Sequence, residues 1–555
     1  MEILDEKSIR EFDVMGLPAN PGEETLKVLT ARVVHPDGRV DEARVPSEGA
    51  SSIDFPPLAV GDIVDLEYRA EELRQGFFGD YFGIRFFFAA QYPLVRSRMV
   101  LLAPSARKLH LHARNGSPEP TIGEGRTPDE KAYVWEVRNA ARVQAEPGMP
   151  DLSEVVPTAE VASFAGWKEF GAWYWSMVKG QWDVDEDVRS KVRELTRGID
   201  DPVARVQAVY NFVSQKVPYQ AWEFGVHGFQ PYRASQILRR GFGDCKDKAT
   251  LICVMLGELG IRARPVIIHA DAPHGRDDLA SPMMEHFNHC IAVVTLPGGG
   301  ELWLDGTATM HPMDTLPEMD RGATVLVVEE DGGRIAEVPW GRPEDNRRVV
   351  RARVALAADG SAQAVVTVEP VGLEGALDRA IYSAENRRTE AIEQQWGRRF
   401  GACRVADEEF SDLEDVDVPV SYRYRVEVPS YARKRGEGAT FPASPFPLAL
   451  SEDCPLITRT HDLLLSAPKS SELEVRFALP EGLRAASLPS PLEIETPVAG
   501  AKASYEVDGE EIVLRRSFSV KAPRVSPADY AAYRGLCQDL DRWEDQEVVL
   551  ERMEK

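Results

Sequence analysis

The chain has 555 residues with 65 Lys and Arg against 90 Asp and Glu, a formal net charge of −25, and is 43% hydrophobic and 28% charged. That length implies about three or four domains, and the composition supplies apolar material for separate cores while excluding collagen-like and disordered chains. No Lys/Arg-rich cluster is present to track a phosphate backbone, so nucleic acid is not an expected partner.

No stretch nears the roughly 18 apolar residues of a spanning helix, and Met1 to Lys7 has neither a basic nor an apolar leader region, so no signal peptide is visible. The six cysteines, Cys245, Cys253, Cys290, Cys403, Cys454 and Cys537, contain no C-x-x-C pair and indicate no disulfide framework.

From Thr25 to about Ala103 apolar and polar residues alternate, as in Ile63, Asp65 and Glu67 against Val64, Leu66 and Tyr68. Turn signals at Pro36-Asp37-Gly38-Arg39 and Val60-Gly61-Asp62 make this antiparallel β structure. A second β-rich stretch runs from Met99 to Arg138, and residues 1–160 are expected to form one β-sandwich-like domain.

Helical spacing begins at the aromatic cluster Trp167, Phe170, Trp173, Tyr174 and Trp175, whose ordinary role would be packing. Asp185 to Arg197 before Gly198 predicts a helix. Asp201-Pro202 supplies the N-cap and first-turn proline of the next, with Val203, Val206, Tyr210 and Val213 on one face. A further helix is predicted from Cys245 to Leu259, followed by strands at 263–269, 289–296 and 301–305. This middle block, residues 161–335, is α+β. Beyond Pro339 the alternation of 350–356 and 362–368 around Asp359-Gly360 predicts a hairpin. Leu373 to Phe400 reads as one long helix, and short β runs follow, so residues 336–555 are expected to be a β-rich domain with one helix. The acidic runs at 183–187 and 412–417 read as solvated surface.

Chemistry concentrates at Gly241-Phe242-Gly243-Asp244-Cys245-Lys246-Asp247-Lys248, where a glycine-bearing turn delivers a cysteine to the start of a helix. Unpaired N–H groups and the partial positive charge there favour thiolate, and the Cys245 N–H could face an oxyanion. A lone cysteine is more often a small buried residue, as Cys253 is expected to be. Here, however, His289 follows 44 residues later on a strand and Asp305 a further 16 at the next strand end. An antiparallel pair can set that carboxylate against one imidazole nitrogen and leave the other for the thiol. Singly, His289 reads as a core histidine and Asp305 as a turn residue; the three in order read as nucleophile, base and orienter. His286, His289, Cys290 and Asp305 include zinc-type residues, but residues three apart on a strand point to opposite faces and Cys290 faces away from His289, so no metal is expected. His269, His274 and His311 read as solvated loop residues.

These residues resemble the bacterial transglutaminase-like superfamily, whose fold is related to papain-like cysteine proteases. The run Gly243-Asp244-Cys245-Lys246-Asp247-Lys248-Ala249 is similar to the subgroup with a domain of unknown function ahead of the core. Glu223-Phe224-Gly225, Gln230-Pro231, Asn288-His289 and Trp303-Leu304-Asp305-Gly306-Thr307 carry the likeness further. It implies a multidomain protein with a transglutaminase-like, papain-like α+β core between two β-rich domains. Cys245 would be nucleophile, His289 base and Asp305 its partner. Gln230 is the oxyanion candidate by analogy with the papain-type glutamine, with Tyr219 and Trp222 equally near in sequence.

The implied activity is thiol-dependent acyl transfer on amide or peptide bonds, with hydrolysis favoured and protein crosslinking the alternative. A non-catalytic scaffold is the contrasting class. No cofactor is expected, calcium included, and the expected partner is a protein or peptide substrate. Against its relatives the chain enters the first β domain partway, and a periplasmic or secreted setting is expected.

Overall fold

Period-two alternation becomes paired strands in the computed structural model, which describes residues 1–17, 24–45, 52–72, 78–79, 81–223, 225–273 and 275–553. The chain divides into two compact units, one of residues 1–81 with 222–230, the other of 82–221 with 231–555.

In the first unit, strand Glu24–Val34 pairs antiparallel with Ile63–Glu72 and with Val40–Glu42. Ala31, Val33 and Val64 bury one face with Ile3, Ile53 and Phe55. The turn at 36–39 closes as the sequence suggests, with His35 N–H donating to Arg39 O at 2.9 Å. A helix at Glu6–Phe12, capped by Asp5 accepting from Ser8 N–H at 2.8 Å, was not anticipated, since seven residues hold too little periodicity to read.

The second unit begins with two three-stranded antiparallel sheets. Thr158–Ala162 lies between Gly83–Phe87 and His110–Arg114, and Glu130–Ala140 between Leu94–Pro104 and Thr121–Glu124. Phe88, Met99, Trp135 and Val161 pack between them.

Helices then precede strands, as expected: α1 (Trp167–Val178), α2 (Glu186–Leu195), α3 (Pro202–Lys216), α4 (Ala234–Arg240) and α5 (Cys245–Glu258). Asp185 and Asp201 cap α2 and α3 by accepting from Val188 N–H at 3.0 Å and Ala204 N–H at 2.9 Å. Val206, Val209, Tyr210 and Val213 form the buried face of α3; Val203, expected among them, is exposed. The aromatic cluster of α1 packs on itself through Trp167, Phe170 and Trp173.

Five antiparallel strands follow: β1 (Ala263–Ile268), β2 (His289–Thr295), β3 (Glu301–Leu304), β4 (Thr324–Glu329) and β5 (Gly332–Glu337), in the order β3-β2-β1-β4-β5. The last two add to the three strands expected from the sequence. Gly332 and Gly333 let α1 lie on the strand, and a Cβ added at Gly171 would stand 2.3 Å from Gly333 N. Helix α5, buried along most of its length, packs on β2 and β3 through Leu251, Ile252, Cys253, Ala292, Val294 and Leu304.

The C-terminal region is built on an eight-stranded sheet. The expected hairpin is present as Arg347–Leu356 and Ala362–Pro370, and Arg347–Leu356 pairs in parallel with Lys469–Ala478. The single long helix is corrected to two, Leu373–Tyr382 and Arg388–Phe400. The first has its C-cap at Ser383, and a short 3-10 turn, Glu385–Arg387, leads into the second. A further helix, Pro527–Glu544, was also missed among the β runs.

The acidic side chains of 412–417 are exposed, as expected, while Asp183 in the other run is partly buried and the backbone at 413–418 is engaged. Asp183 accepts from Ser235 Oγ at 2.5 Å, and carbonyls of Leu413, Asp415 and Val418 wrap the buried Arg379 guanidinium at 2.7 to 2.9 Å.

Candidate active site

Gly241 ends α4 in a left-handed conformation with φ of 72°. The chain then extends, with Gly243 N–H donating to Pro218 O at 3.2 Å and Gln220 N–H to Gly243 O at 3.0 Å. Asp244 caps α5 by accepting from Asp247 N–H at 3.1 Å, and the Asp247 carboxylate reaches back to Asp244 N–H at 3.4 Å, forming a capping box. A Cβ on Gly243 would stand 2.7 Å from Asp247 Cβ, so this glycine is required by close approach. Asp247 also accepts from Tyr232 N–H at 2.8 Å and pairs with Arg240, while Lys246 pairs with Asp244. Burial and the Asp244 charge raise the Asp247 carboxyl; the Lys246 ammonium, which burial alone would lower, is held up by Asp244. The motif is thus a buried charge lattice that fixes one turn, and Cys245, partly exposed, is its first helical residue. There its N–H is among those with no intrahelical acceptor.

His289 opens β2 opposite Ile268 of β1. Asp305 directly follows β3, whose Leu304 pairs with Ala292. Its Oδ1 accepts from Thr307 N–H at 2.7 Å and Thr307 Oγ at 2.8 Å. Gly306 lets this loop press on α5, since a Cβ there would lie 3.1 Å from Lys248 Cβ and 3.2 Å from Ile252 Cδ1. The Asp-Gly-Thr sequence therefore combines carboxylate, close approach and clamp.

His289 Nε2 lies 3.3 Å from Asp305 Oδ2, an ion-pair distance. Cys245 is the other group that acts on the imidazole. Burial alone would lower the His289 pKa, but the bonds to Asp305 and Cys245 and their charges carry it up to about 11. Burial likewise opposes ionisation of Asp305, and His289 and Thr307 outweigh it, so its carboxyl stays below the usual value. An imidazolium has no lone pair to offer, so in this state the sulfur accepts.

Of the oxyanion candidates, Tyr219 bridges to Gly243, and its half-exposed side chain belongs to the strand segment beside the Cys245 turn. Gln230 and Trp222 belong to the first unit, where Gln230 O lies 3.0 Å from His227 Nδ1 and Trp222 is exposed. Phe224 of the upstream motif and His274 lie outside the described residues.

His286 sits in a helical turn before β2 and is engaged elsewhere, 2.7 Å from Asp277 Oδ2 and 2.8 Å from Ser281 O. Cys290 and Cys253 are buried, and burial raises both thiols. His269 is partly buried, and burial lowers His311 to about 4.

Asp320 was not anticipated. It ends the helical turn Glu318–Asp320, wholly buried, and its carboxylate lies within hydrogen-bonding reach of Asp305. No motif or periodicity marks it. His289, Asp305 and Asp320 each place one polar atom within 4.8 Å of the others. The His289 ring faces the Asp305 carboxylate at an ion-pair distance, and two carboxylates with one imidazole suit the sharing of a proton.

Residues 189–305, which span this helices-then-strands region, match the transglutaminase-like superfamily. On either side of it, residues 1–144 and 440–550 match two families of domains of unknown function, DUF3857 and DUF3858. Among curated proteins none matches. A solved structure from Parabacteroides distasonis ATCC 8503, described as a candidate protease, is similar with a TM-score of 0.68 at 14% identity, covering 99% of this chain and 93% of that one. This likeness is one of fold. A candidate cysteine protease from Cytophaga hutchinsonii, at 12% identity over 41% and 78% of the two chains, has a TM-score of 0.19. The periplasmic domain of TgpA from Pseudomonas aeruginosa, at 11% over 54% and 93%, has one of 0.18. Both are too distant to carry structural argument.

Proposed function

We propose that the protein is a thiol-dependent acyl-transfer enzyme acting on amide or peptide bonds, with residues 161–335 carrying the chemistry. The observation that carries this reading is His289 Nε2 at 3.3 Å from Asp305 Oδ2, with Cys245 among the groups that raise the imidazole's pKa. Cys245 sulfur attacks the carbonyl carbon, and the Cys245 N–H at the helix start faces the oxygen that becomes negative. His289 passes its proton to the departing nitrogen, so the C–N bond breaks and an amine leaves a thioester on Cys245. Water then gives a proton to His289 and its oxygen to the carbonyl, releasing a carboxylic acid and the sulfur. Asp305 orients the ring throughout. Tyr219, Gln230 and Trp222 remain the side-chain candidates for the oxyanion.

Hydrolysis is preferred to crosslinking because nothing in the sequence marks a second pocket for an acceptor amine. A periplasmic or secreted setting is part of the same proposal and rests on the family resemblance; fractionation of cells expressing the full gene product tests it. The activity is tested by incubating the chain with a peptide mixture, trapping thioesters by intact mass and releasing them with hydroxylamine. A mass gain on Cys245 that disappears in Cys245→Ser is expected, with acid products exceeding amine adducts when a primary amine is added. Partner capture that persists in Cys245→Ser without any adduct would favour a scaffold.

A further inference from the structure

Asp320 presents an unusual problem of charge. It is fully buried, and neither of its carboxylate oxygens receives a hydrogen bond from any donor among the described residues. Its neighbour is the Asp305 carboxylate, and two ionised carboxylates have no donor between them. The adjacent Arg321 does not neutralise it: Nε donates to Leu316 O at 3.1 Å and Nη1 to Trp340 O at 3.3 Å. The other titratable groups around the pair are His289 from β2, Tyr210 from α3, Lys248 from α5 and His311 from the loop after Asp305. Of these, the His289 imidazolium is engaged with Asp305, and the Lys248 ammonium with Val217 O at 2.7 Å.

A buried pair of carboxyl groups in this setting resolves the repulsion by sharing a proton. We propose that Asp320 is a positioning residue whose neutral carboxyl group donates a hydrogen bond to Asp305 and so fixes the carboxylate that orients His289. The inference deepens the triad reading and rests on it. Burial and the Asp305 charge, opposed by His289 and Arg321, push the Asp320 carboxyl up to about 8, so the proton is held at neutral pH and lost just above it. Its loss puts two negative charges side by side behind His289. Asp305 is then repelled from its place, and the imidazolium proton is held more tightly against transfer to a leaving nitrogen.

The test uses the resting chain and needs no substrate. With ¹³C-labelled aspartate, infrared spectra near neutral pH should show one carboxylic-acid carbonyl band that is half lost near pH 8 and absent in Asp320→Asn. With ¹⁵N-labelled histidine, the His289 ring resonances should shift with the same midpoint in the parent and show no such step in Asp320→Asn. If the variant does not fold, the His289 resonances of the parent decide alone. No acid band, a band that survives in Asp320→Asn, or one-to-one zinc binding abolished by that substitution would overturn the proposal. A separate arm measures iodoacetamide alkylation of Cys245 in parent and His289→Ala. Equal rates there would remove the triad, and with it the positioning role, even where the acid band is found. Turnover, once a substrate is in hand, should show an alkaline limb near pH 8 that is missing in Asp320→Asn.

Discussion

The turn that presents Cys245 depends on Asp244, which caps α5 and pairs with Lys246, and the two roles can be separated. Asp244→Asn keeps a side-chain oxygen for Asp247 N–H but removes the charge facing Lys246, which is 5% exposed. Breaking a buried pair from one side costs about 3 kcal/mol, and the nearby Asp247 carboxylate places this case at the low end. Asp244→Ala loses the cap as well, adding about 1 kcal/mol.

A chain of several units does not unfold in two states, so a local reporter is needed. Cys253, 1% exposed on the same helix, provides one through pulsed thiol labelling read by mass spectrometry. Where reclosing is faster than labelling, its rate follows the opening equilibrium. Asp244→Asn should then label about a hundredfold faster than the parent, and Asp244→Ala about a thousandfold, at roughly 1.4 kcal/mol per tenfold. Adding Lys246→Met to Asp244→Asn should return the rate to within about tenfold of the parent, because the stranded ammonium is gone. Labelling of Asp244→Asn at the parental rate would refute the argument that this ion pair holds the turn.

Lys248 is fully buried, and burial lowers its pKa to about 8 despite the pull of Asp305. Between that value and its unfolded pKa near 10.5 the unfolded chain binds more protons, so core stability should rise with pH across this window by about 3 kcal/mol. Lys248→Met should lack that rise in Cys253 labelling. Glu146, whose carboxylate accepts from Thr460 and His461 N–H, has a lowered pKa although burial opposes it. Its contribution is present above the unfolded carboxylate value and lost as pH falls through the folded one; Glu146→Gln should flatten that acid loss in a thermal melt. Gly306→Val should push the Asp305 loop off Lys248 and Ile252 and slow iodoacetamide labelling of Cys245 at least tenfold; an unaltered rate would show that the loop yields without moving Asp305. Arg379→Met should expose the 412–418 loop to limited proteolysis by freeing its carbonyls, with parental cleavage resistance the contrary result.

Local chemistry was legible where it is carried by neighbours in sequence. The Asp185 and Asp201 caps, the Gly38 turn, the strands around His289 and the helix starting at Cys245 all follow from a few adjacent residues, and the structure contains them. Even the placement of His289 against Asp305 could be anticipated, because consecutive antiparallel strands meet by default.

What adjacent residues cannot encode is which distant surfaces meet. The glycines at 332–333 admit α1 from far along the chain, and the helical pattern of 373–400 folds as two helices rather than one. Asp320 is the clearest case. In sequence it is one acid among 90 acidic residues, and only folding buries it beside Asp305 with no hydrogen-bond donor to it among the described residues. The sequence alone determined the thiol, the imidazole, the carboxylate and the elements that carry them. The tertiary structure alone decided their protonation environment, since burial and through-space charge depend on neighbours brought together from far along the chain.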